Sequence, residues 1–398
     1  MTLNRRIDND LRLTEPFRLF FPAGMLFGLM GILLWPAFYA GWLPYYPGFA
    51  HTRLMIDGFA GFFVFGFLMT AGPPLLGTAA FSRNTVLGVF GLSVATCVAQ
   101  LFNQTALGDA LFALATGYLI FNAGKAYRCR SDCPPPGFPL AALGLACACI
   151  GSLLLSLSTT AWPNATTFAL GKILLFQGFT LLPIVGVGAF FFPKIFGGRN
   201  IHAFPEMRLP SDEWKRRFRH SLYVAIGFFA SVALEIVGRL PFAYSLRLIV
   251  LGAYLLSEIP FGEFRKRQNM YGAQLLFTLA TVGIGLAGAA LFPAYKIAWL
   301  HSYFLVGLTG IIFLVSIRVV FGHSGRPDLI QKSVPIFAWV TGALAFAAAT
   351  RIYADFNSNL QISHYLYATA IWFICGLIWL LFVAPKTRLA QSKRPGPN

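Results

Sequence analysis

The sequence predicts an all-α polytopic membrane protein with about twelve transmembrane helices. Three observations predict this class. Of the 398 residues, 57% are hydrophobic and only 11% are charged, which is too apolar for a water-soluble globular chain. The apolar residues form runs long enough to cross a bilayer core of about 30 Å, which requires about 20 residues per helix. Between these runs lie short polar segments, and they carry most of the Lys and Arg residues.

The apolar runs, taken in chain order between their polar boundaries, give twelve candidate spans. They lie near residues 17–41, 54–78, 84–102, 105–124, 137–158, 166–192, 219–238, 242–262, 271–292, 297–320, 332–351 and 361–384. A basic segment at 193–218 separates six spans within 17–192 from six within 219–384, and a basic tail occupies 385–398. We predict that the chain forms a single integral-membrane domain.

The distribution of positive charge predicts the orientation of these spans. The chain has 31 Lys and Arg residues against 14 Asp and Glu residues, a formal net charge of +17. In the twelve-span scheme most basic residues fall on the side of the two termini. The opposite segments contain only Arg53, Arg239, Lys296 and Arg351. By the positive-inside rule, both termini are therefore cytoplasmic. Because topology explains the charge, we expect membrane lipid, and no nucleic acid, as the partner.

Ionisable side chains within spans are costly and therefore indicate functional positions. The scheme puts His51, His301 and His364 at the outer ends of spans two, ten and twelve. The same outer half of the membrane contains Asp57, Lys172, Glu235, Arg239 and Arg247. The inner halves of the spans contain few charged residues, and Arg318 is one of these few. The sequence thus predicts a polar cluster on the outer side of an apolar bundle.

This outer cluster contains the donor types that a haem or metal site requires. Neutral imidazole ligates iron and copper, and the cations Lys172 and Arg247 are suited to neutralising haem propionates. Met55 lies four residues after the first of these histidines, on the same helix face, and its thioether can bind Cu(I) or haem iron. The competing interpretation is that each histidine is structural, and that Glu235 and Arg239, four residues apart, only neutralise each other.

Three stretches of the chain carry a family signature. Span ten begins with Trp299-Leu300-His301 and ends in residues 321–327, FGHSGRP. Residues 16–21, before and within span one, read PFRLFF, and residues 66–71 in span two, after His51, read GFLMTA. Together these stretches are similar to signatures of the NnrS family of bacterial membrane proteins, which are associated with haem, copper and the response to nitric oxide.

The resemblance implies a haem protein of the bacterial inner membrane, acting in the nitric oxide or nitrosative-stress response. Nitric oxide is then the implied ligand, and copper is a second candidate metal. The family's motif residues correspond here to His51, Met55, His301, His323 and Arg326. A family pattern His-x-His-Glu-Met reads HTRLM at residues 51–55, so this chain has lost the second His and the Glu. If haem is bound, His301 is predicted to matter more than His323, since it is on the polar outer side.

An alternative hypothesis is a twelve-span secondary transporter. In this interpretation the outer cluster, especially Asp57, Lys172, Glu235 and Arg247, binds a small anion or couples a solute to protons. Pro183 within span six would then provide the interrupted helix that transporters use at their binding sites. A chromophore or metal would favour the haem protein, whereas stabilisation by a solute would favour the transporter.

Overall fold

The computed structural model describes residues 13–196, 209–259 and 270–388, and these ranges consist of helices and short connecting segments. The long helices are α1 (Phe17–Tyr39), α2 (Gly48–Leu76), α3 (Arg83–Leu101), α4 (Thr105–Arg128), α5 (Phe138–Thr159), α6 (Ala165–Ile195), α7 (Asp212–Ile236), α8 (Leu240–Glu258), α9 (Met270–Leu291), α10 (Pro293–His323), α11 (Asp328–Phe356) and α12 (Gln361–Phe382). Two 3₁₀ turns, Ser358–Leu360 and Ala384–Arg388, flank α12.

The predicted all-α polytopic class is confirmed. Across the described ranges, eleven helices are long and apolar enough to cross a membrane. The remaining predicted span forms α7, whose first turns carry two acidic residues followed by four basic residues and are therefore less apolar. Ser211 caps this helix by accepting a hydrogen bond from the Trp214 backbone N–H at 3.1 Å, a frequent N-cap arrangement. Because of this cap, α7 begins at Asp212 rather than near 219.

The two predicted basic segments are partly helical. The segment predicted at 193–218 begins with the last turn of α6 and ends with the first turns of α7, while its residues 197–208 lie outside the described chain. The predicted tail, 385–398, is described as far as Arg388, and these residues form a turn that packs on the bundle, with Thr387 buried. Its residues 389–398 also lie outside the described chain. The cytoplasmic location of the termini stays a prediction.

The helices pack in chain order, and the arrangement closes on itself. Each long helix contacts the next along the chain, and α12 packs against α1. Three helices are the most buried of the eleven, namely α2, α6 and α10. They contact one another through their side chains: Phe65 of α2 lies against Phe179 of α6, and Phe59 of α2 against Phe313 of α10. These inner helices are the second members of three successive groups of four.

Each of the three inner helices contains a π-helical segment. These segments are Leu54–Ala60 in α2, Leu174–Gly178 in α6 and Ser302–Leu308 in α10. A π segment widens the helix locally and changes the direction in which the following side chains point, and such segments are frequent at functional sites. All three segments contribute residues to the wall of one cavity.

Glycine allows α5 and α6 to approach closely next to the π segment of α6. A Cβ atom at Gly151 would lie 2.8 Å from the Leu175 backbone nitrogen and 2.9 Å from the Gly171 carbonyl oxygen. We expect Gly151→Ala to lower the free energy of unfolding by about 1–3 kcal/mol, because backbone must move to accept the methyl group. Thermal unfolding in detergent would measure this. Gly91→Ala is the matched control, since its Cβ would meet nothing within 4 Å; equal melting temperatures for the two variants would contradict the prediction.

Candidate functional site

The candidate site is a cavity of about 610 Å³ between the three inner helices. Its apolar walls are formed largely by aromatic and aliphatic residues of α2, α6 and α10, with Trp372 of α12. Phe59 and Trp372 meet edge to face there, with ring centroids 5.3 Å apart. Its polar lining includes His51, Thr52, Arg53, Lys172, Gln177, Glu235, Tyr244, Lys296, His301, Thr309, Arg351, Tyr365 and Thr369. A large apolar cavity with few convergent polar groups is typical of a cofactor or ligand site.

The first cavity histidine, His51, is held in the first turn of α2. Its ring Nδ1 lies 3.0 Å from the carbonyl oxygen of Gly31 in α1. Because a carbonyl oxygen only accepts hydrogen bonds, Nδ1 must be the protonated nitrogen that donates. Trp35 packs edge-on against the imidazole, with ring centroids 5.8 Å apart. The neutral ring therefore keeps its lone pair on Nε2 in a fixed orientation, as in imidazoles that ligate metals.

The second cavity histidine, His301, has the same arrangement on α10. Its Nδ1 donates to the carbonyl oxygen of Ile297, one turn earlier, at 2.7 Å. The residue lies immediately before the π segment Ser302–Leu308, just as His51 precedes the π segment Leu54–Ala60 by a few residues. Two inner helices thus each present one histidine to the cavity, and neither Nε2 has a hydrogen-bond partner in the described parts of the chain.

Four cationic side chains also line the cavity, and they differ in how far they are neutralised. Arg53 donates twice to the Asp109 carboxylate, at 2.8 Å for each bond. Arg351 lies 2.7 Å from Asp355, and Lys296 lies 3.4 Å from Glu235. Lys172 forms no ion pair with the residues described here, although it lies over the Phe168 ring. The cavity therefore has an excess of positive charge.

Arg247, predicted to bind a cofactor, lies behind the cavity wall rather than in it. It is fully buried and is 3.0 Å from the Glu235 carboxylate. Its guanidinium also donates to Ser231 and to the side-chain oxygen of Gln177. Tyr244 completes the network by donating to Glu235 at 2.9 Å. Arg247 is thus occupied by protein partners, and it holds Gln177 and Glu235 at the cavity surface.

The structure brings only some of the predicted residues together. His51, Met55, Lys172, Glu235 and His301 line the cavity. The others lie outside it. His364 packs between Tyr353 and Tyr367, and Asp57 is buried on another side of α2. Arg239 is exposed after the end of α7, and Arg318 is half-buried at the far end of α10. The competing interpretation, in which Glu235 and Arg239 only neutralise each other, is not supported, because Glu235 pairs with Arg247 and Lys296.

His323 belongs to a separate cluster at the opposite end of the bundle. Its Nδ1 lies 2.7 Å from the Glu15 carboxylate, and the same carboxylate accepts a bond from Arg18 at 2.5 Å. Arg18 is buried and also donates to the carbonyl oxygens of Thr387 and His323. The motif stretches at 16–21 and 321–327 therefore meet in space. Arg326 lies outside this cluster and pairs with Asp328 at the surface.

The Glu15 carboxylate makes this cluster sensitive to acid. Burial alone would raise the pKa of Glu15, but the hydrogen bonds and positive charges of His323 and Arg18 outweigh it and hold the pKa below its ordinary value of 4.5. A lowered folded-state pKa stabilises the protein fully above pH 4.5, and this stabilisation is lost as the pH falls through the folded-state value. We expect melting temperature to fall more steeply below pH 4.5 in wild type than in Glu15→Gln. Parallel pH profiles would contradict this.

Several cavity residues carried no signal in the sequence. Trp35, Arg351, Tyr365 and Trp372 come from α1, α11 and α12, and they resemble many other interfacial or core residues of a chain with 41 Phe and 8 Trp. The packing of α12 against α1, and of α11 against α10, brings them to the histidines. The Arg351 guanidinium, stacked 4.0 Å from the Tyr365 ring centroid, could not be distinguished in advance from an outer-loop arginine.

The fold and this site define a class of protein: a polytopic α-helical membrane protein with a buried, histidine-bearing cavity that has excess positive charge. The chain belongs to the NnrS family, since the family described as NnrS protein matches residues 12–388, nearly the whole chain. The family predicted from the sequence is thereby confirmed. A search among curated proteins gave no match.

Proposed function

We propose that this protein binds haem in the cavity, with His51 and His301 as the iron ligands. The observation that carries the proposal is the shared geometry of these two side chains. Each is presented by an inner helix, and each donates Nδ1–H to a backbone carbonyl oxygen. This second-shell bond orients an imidazole and raises the basicity of its other nitrogen. Two such imidazoles in one cavity are donors that would hold the iron of a haem.

The other groups at the cavity also fit a haem. The aromatic walls at Phe59 and Trp372 suit a flat, apolar macrocycle, and the uncompensated cation Lys172, together with Lys296, suits its propionates. When bound, haem would supply an iron centre that can exchange an electron, and nitric oxide would bind in place of one of the two imidazoles. The protein residues would hold the macrocycle, keep its surroundings apolar and neutralise its carboxylates.

Copper fits the described residues less well than haem does. Among the parts of the chain that the structure describes, no group of three or more His, Cys, Asp or Glu side chains could hold a metal ion. Haem supplies four nitrogen ligands itself and needs one or two from the protein, whereas a protein copper site commonly draws three or four ligands from the chain. Met55 adds a thioether to the cavity. A Cu(I) site formed by the two histidines is therefore the copper alternative to test.

The family membership supports a role in the nitric oxide response. A site within the membrane suits this ligand, because nitric oxide is small and uncharged and enters apolar surroundings readily. We propose the bacterial inner membrane as the location, because the positive-inside distribution of Lys and Arg is that of a cytoplasmic membrane protein.

The decisive experiment is an absorption spectrum of the protein purified in detergent. The sample would be measured air-oxidised and then reduced, with and without nitric oxide, and iron and copper would be quantified on the same material. We expect a Soret band that shifts on reduction, and iron stoichiometric with the chain. A colourless, iron-free protein that does not take up added haemin would overturn the proposal. Copper without iron would support the Cu(I) variant instead.

Lys172 provides a test of how the cavity would hold the haem carboxylates. We expect Lys172→Gln to weaken haemin binding several-fold, or by about 1 kcal/mol, since the contribution of one partly solvated charge pair is of that size. A haemin titration of the apoprotein at low salt would measure the change. Lys125→Gln is the control, because Lys125 lies at the end of α4 and packs on Phe121 away from the cavity. Unchanged affinity in Lys172→Gln would argue against a propionate contact there.

The cation excess of the cavity also favours the second candidate, a transporter of a small anion. Its predicted ligand Arg247 is already bonded to Glu235, Gln177 and Ser231, so Lys172 and Lys296 would have to bind the anion. A thermal-shift screen of small anions distinguishes the two functions. Stabilisation of a haem-free protein that depends on Lys172 would favour transport.

A further inference from the structure

Asp57 is the most unusual polar residue in the membrane part of the protein. It lies in the π segment of α2, and only 1% of its surface is exposed. Both carboxyl oxygens are buried, and neither has a hydrogen-bond donor among the described residues. The side chain does not line the cavity, although Met55, Ile56 and Phe59 on the same helix do. Nothing in the proposed haem site accounts for a buried acid in this position.

The nearby positive charge is already neutralised. Arg53, one turn before Asp57, donates to both oxygens of Asp109 on α4. Asp109 also accepts a longer bond, at 3.4 Å, from the Gln100 side chain of α3. The carbonyl oxygen of that Gln100 side chain is a further buried acceptor without a donor from any described residue. The region between α2, α3 and α4 therefore has more hydrogen-bond acceptors than donors.

The titratable and charged groups that face Asp57 come from three helices. They are Arg53 of α2, Cys97 of α3 and Asp109 of α4. Cys97 is fully buried and free. One cation thus faces two carboxyl groups, and its hydrogen bonds go to Asp109 alone. An ionised carboxylate that is buried without a partner costs several kcal/mol, whereas a protonated one gains an O–H donor that a region rich in acceptors can use.

We propose that Asp57 is a proton-binding site, occupied at neutral pH, beside the cavity. The Arg53–Asp109 pair connects it with the cavity, because Arg53 also lines the cavity wall. Release of the proton breaks the Asp57 O–H bond, leaves the electron pair on the carboxylate and transfers the proton to water. A positive charge entering the cavity favours release, and a negative charge favours uptake. The site would thereby keep the charge of this region nearly constant when the cavity contents change.

Infrared spectroscopy of the purified protein tests the occupancy directly, with or without a cofactor in the cavity. We expect wild type at neutral pH to show the carbonyl stretch of a protonated carboxylic acid, shifted to lower frequency in heavy water. Asp57→Asn should lose this band, and Asp57→Glu should move it. Asp355→Asn is the control and should keep it, because Asp355 is bonded to Arg351 and Tyr365 as an ionised acid.

The proposal also predicts how the variants fold. Asp57→Asn replaces a neutral acid by a neutral amide of nearly the same shape, so its melting temperature should equal that of wild type. A wild-type spectrum without the band, or a band that persists in Asp57→Asn, would overturn the proposal. A large loss of melting temperature in Asp57→Asn would also overturn it, since that result would mean that Asp57 is ionised and paired with Arg53. These measurements do not require haem, so their failure is separate from failure of the proposed function.

Discussion

Replacing His301 by alanine is expected to remove nearly all bound haem. The imidazole of His301 is one of two cavity nitrogens with a fixed lone pair, and no other described histidine lies near enough to the cavity to line it. Loss of an outer-shell partner alone typically lowers metal affinity about 10–100-fold, so loss of the ligand itself should lower haemin affinity at least about 100-fold. The measurement is the pigment and iron content per mole of purified protein, followed by haemin titration of the apoprotein.

Two control variants separate a ligand from a residue that only supports folding. His364→Ala removes a histidine from the same end of the bundle, where it packs between Tyr353 and Tyr367 outside the cavity. His323→Ala removes the motif histidine at the opposite end, where it bonds to Glu15. Both should retain pigment. The ligand assignment would be wrong if His301→Ala contained as much haem as wild type, or if His364→Ala lost it instead.

The comparison of His301 with His364 also shows what could be predicted from the sequence. Hydropathy and charge predict the depth of each histidine, and His51 and His301 both line the one cavity. Depth does not give the direction in which a side chain points around its helix. His51 and His301 point into the bundle beside π segments, and His364, at a similar depth on α12, points toward two tyrosines.

The π segments are a second reason why the side chains that share the cavity could not be predicted from the sequence. Spacing rules for helix faces assume 3.6 residues per turn, and three helices depart from that value where they meet the cavity. The competing interpretation, in which Glu235 and Arg239 neutralise each other, does not hold for a related reason. The helix ends at Ile236, and Gly238 adopts a positive φ of 79°, so Arg239 is no longer on the face where Glu235 lies.

Removing the Arg18 side chain is expected to produce the largest loss of stability among the predicted variants. Arg18 is 6% exposed, and it joins three chain segments through Glu15, the Thr387 carbonyl oxygen and the His323 carbonyl oxygen. Breaking a buried ion pair by removing one partner costs about 3–5 kcal/mol. Glu15 is partly exposed, with 24% of its side-chain surface accessible, so water screens part of the interaction. We therefore expect Arg18→Met to lower the free energy of unfolding by about 3 kcal/mol, the lower end of that range.

The matched control for Arg18 is the other arginine in the motif stretches, Arg326. It pairs with Asp328, but both side chains are about half exposed, and exposed pairs contribute about 0–1 kcal/mol. Thermal unfolding in detergent should therefore show a large fall in melting temperature for Arg18→Met and almost none for Arg326→Met. Similar falls in melting temperature for both variants would contradict the prediction, because the exposed pair would then contribute as much stability as the buried one. A fall confined to Arg18→Met would mean that this motif arginine acts by joining the first helix, the end of α10 and the turn after α12 into one unit.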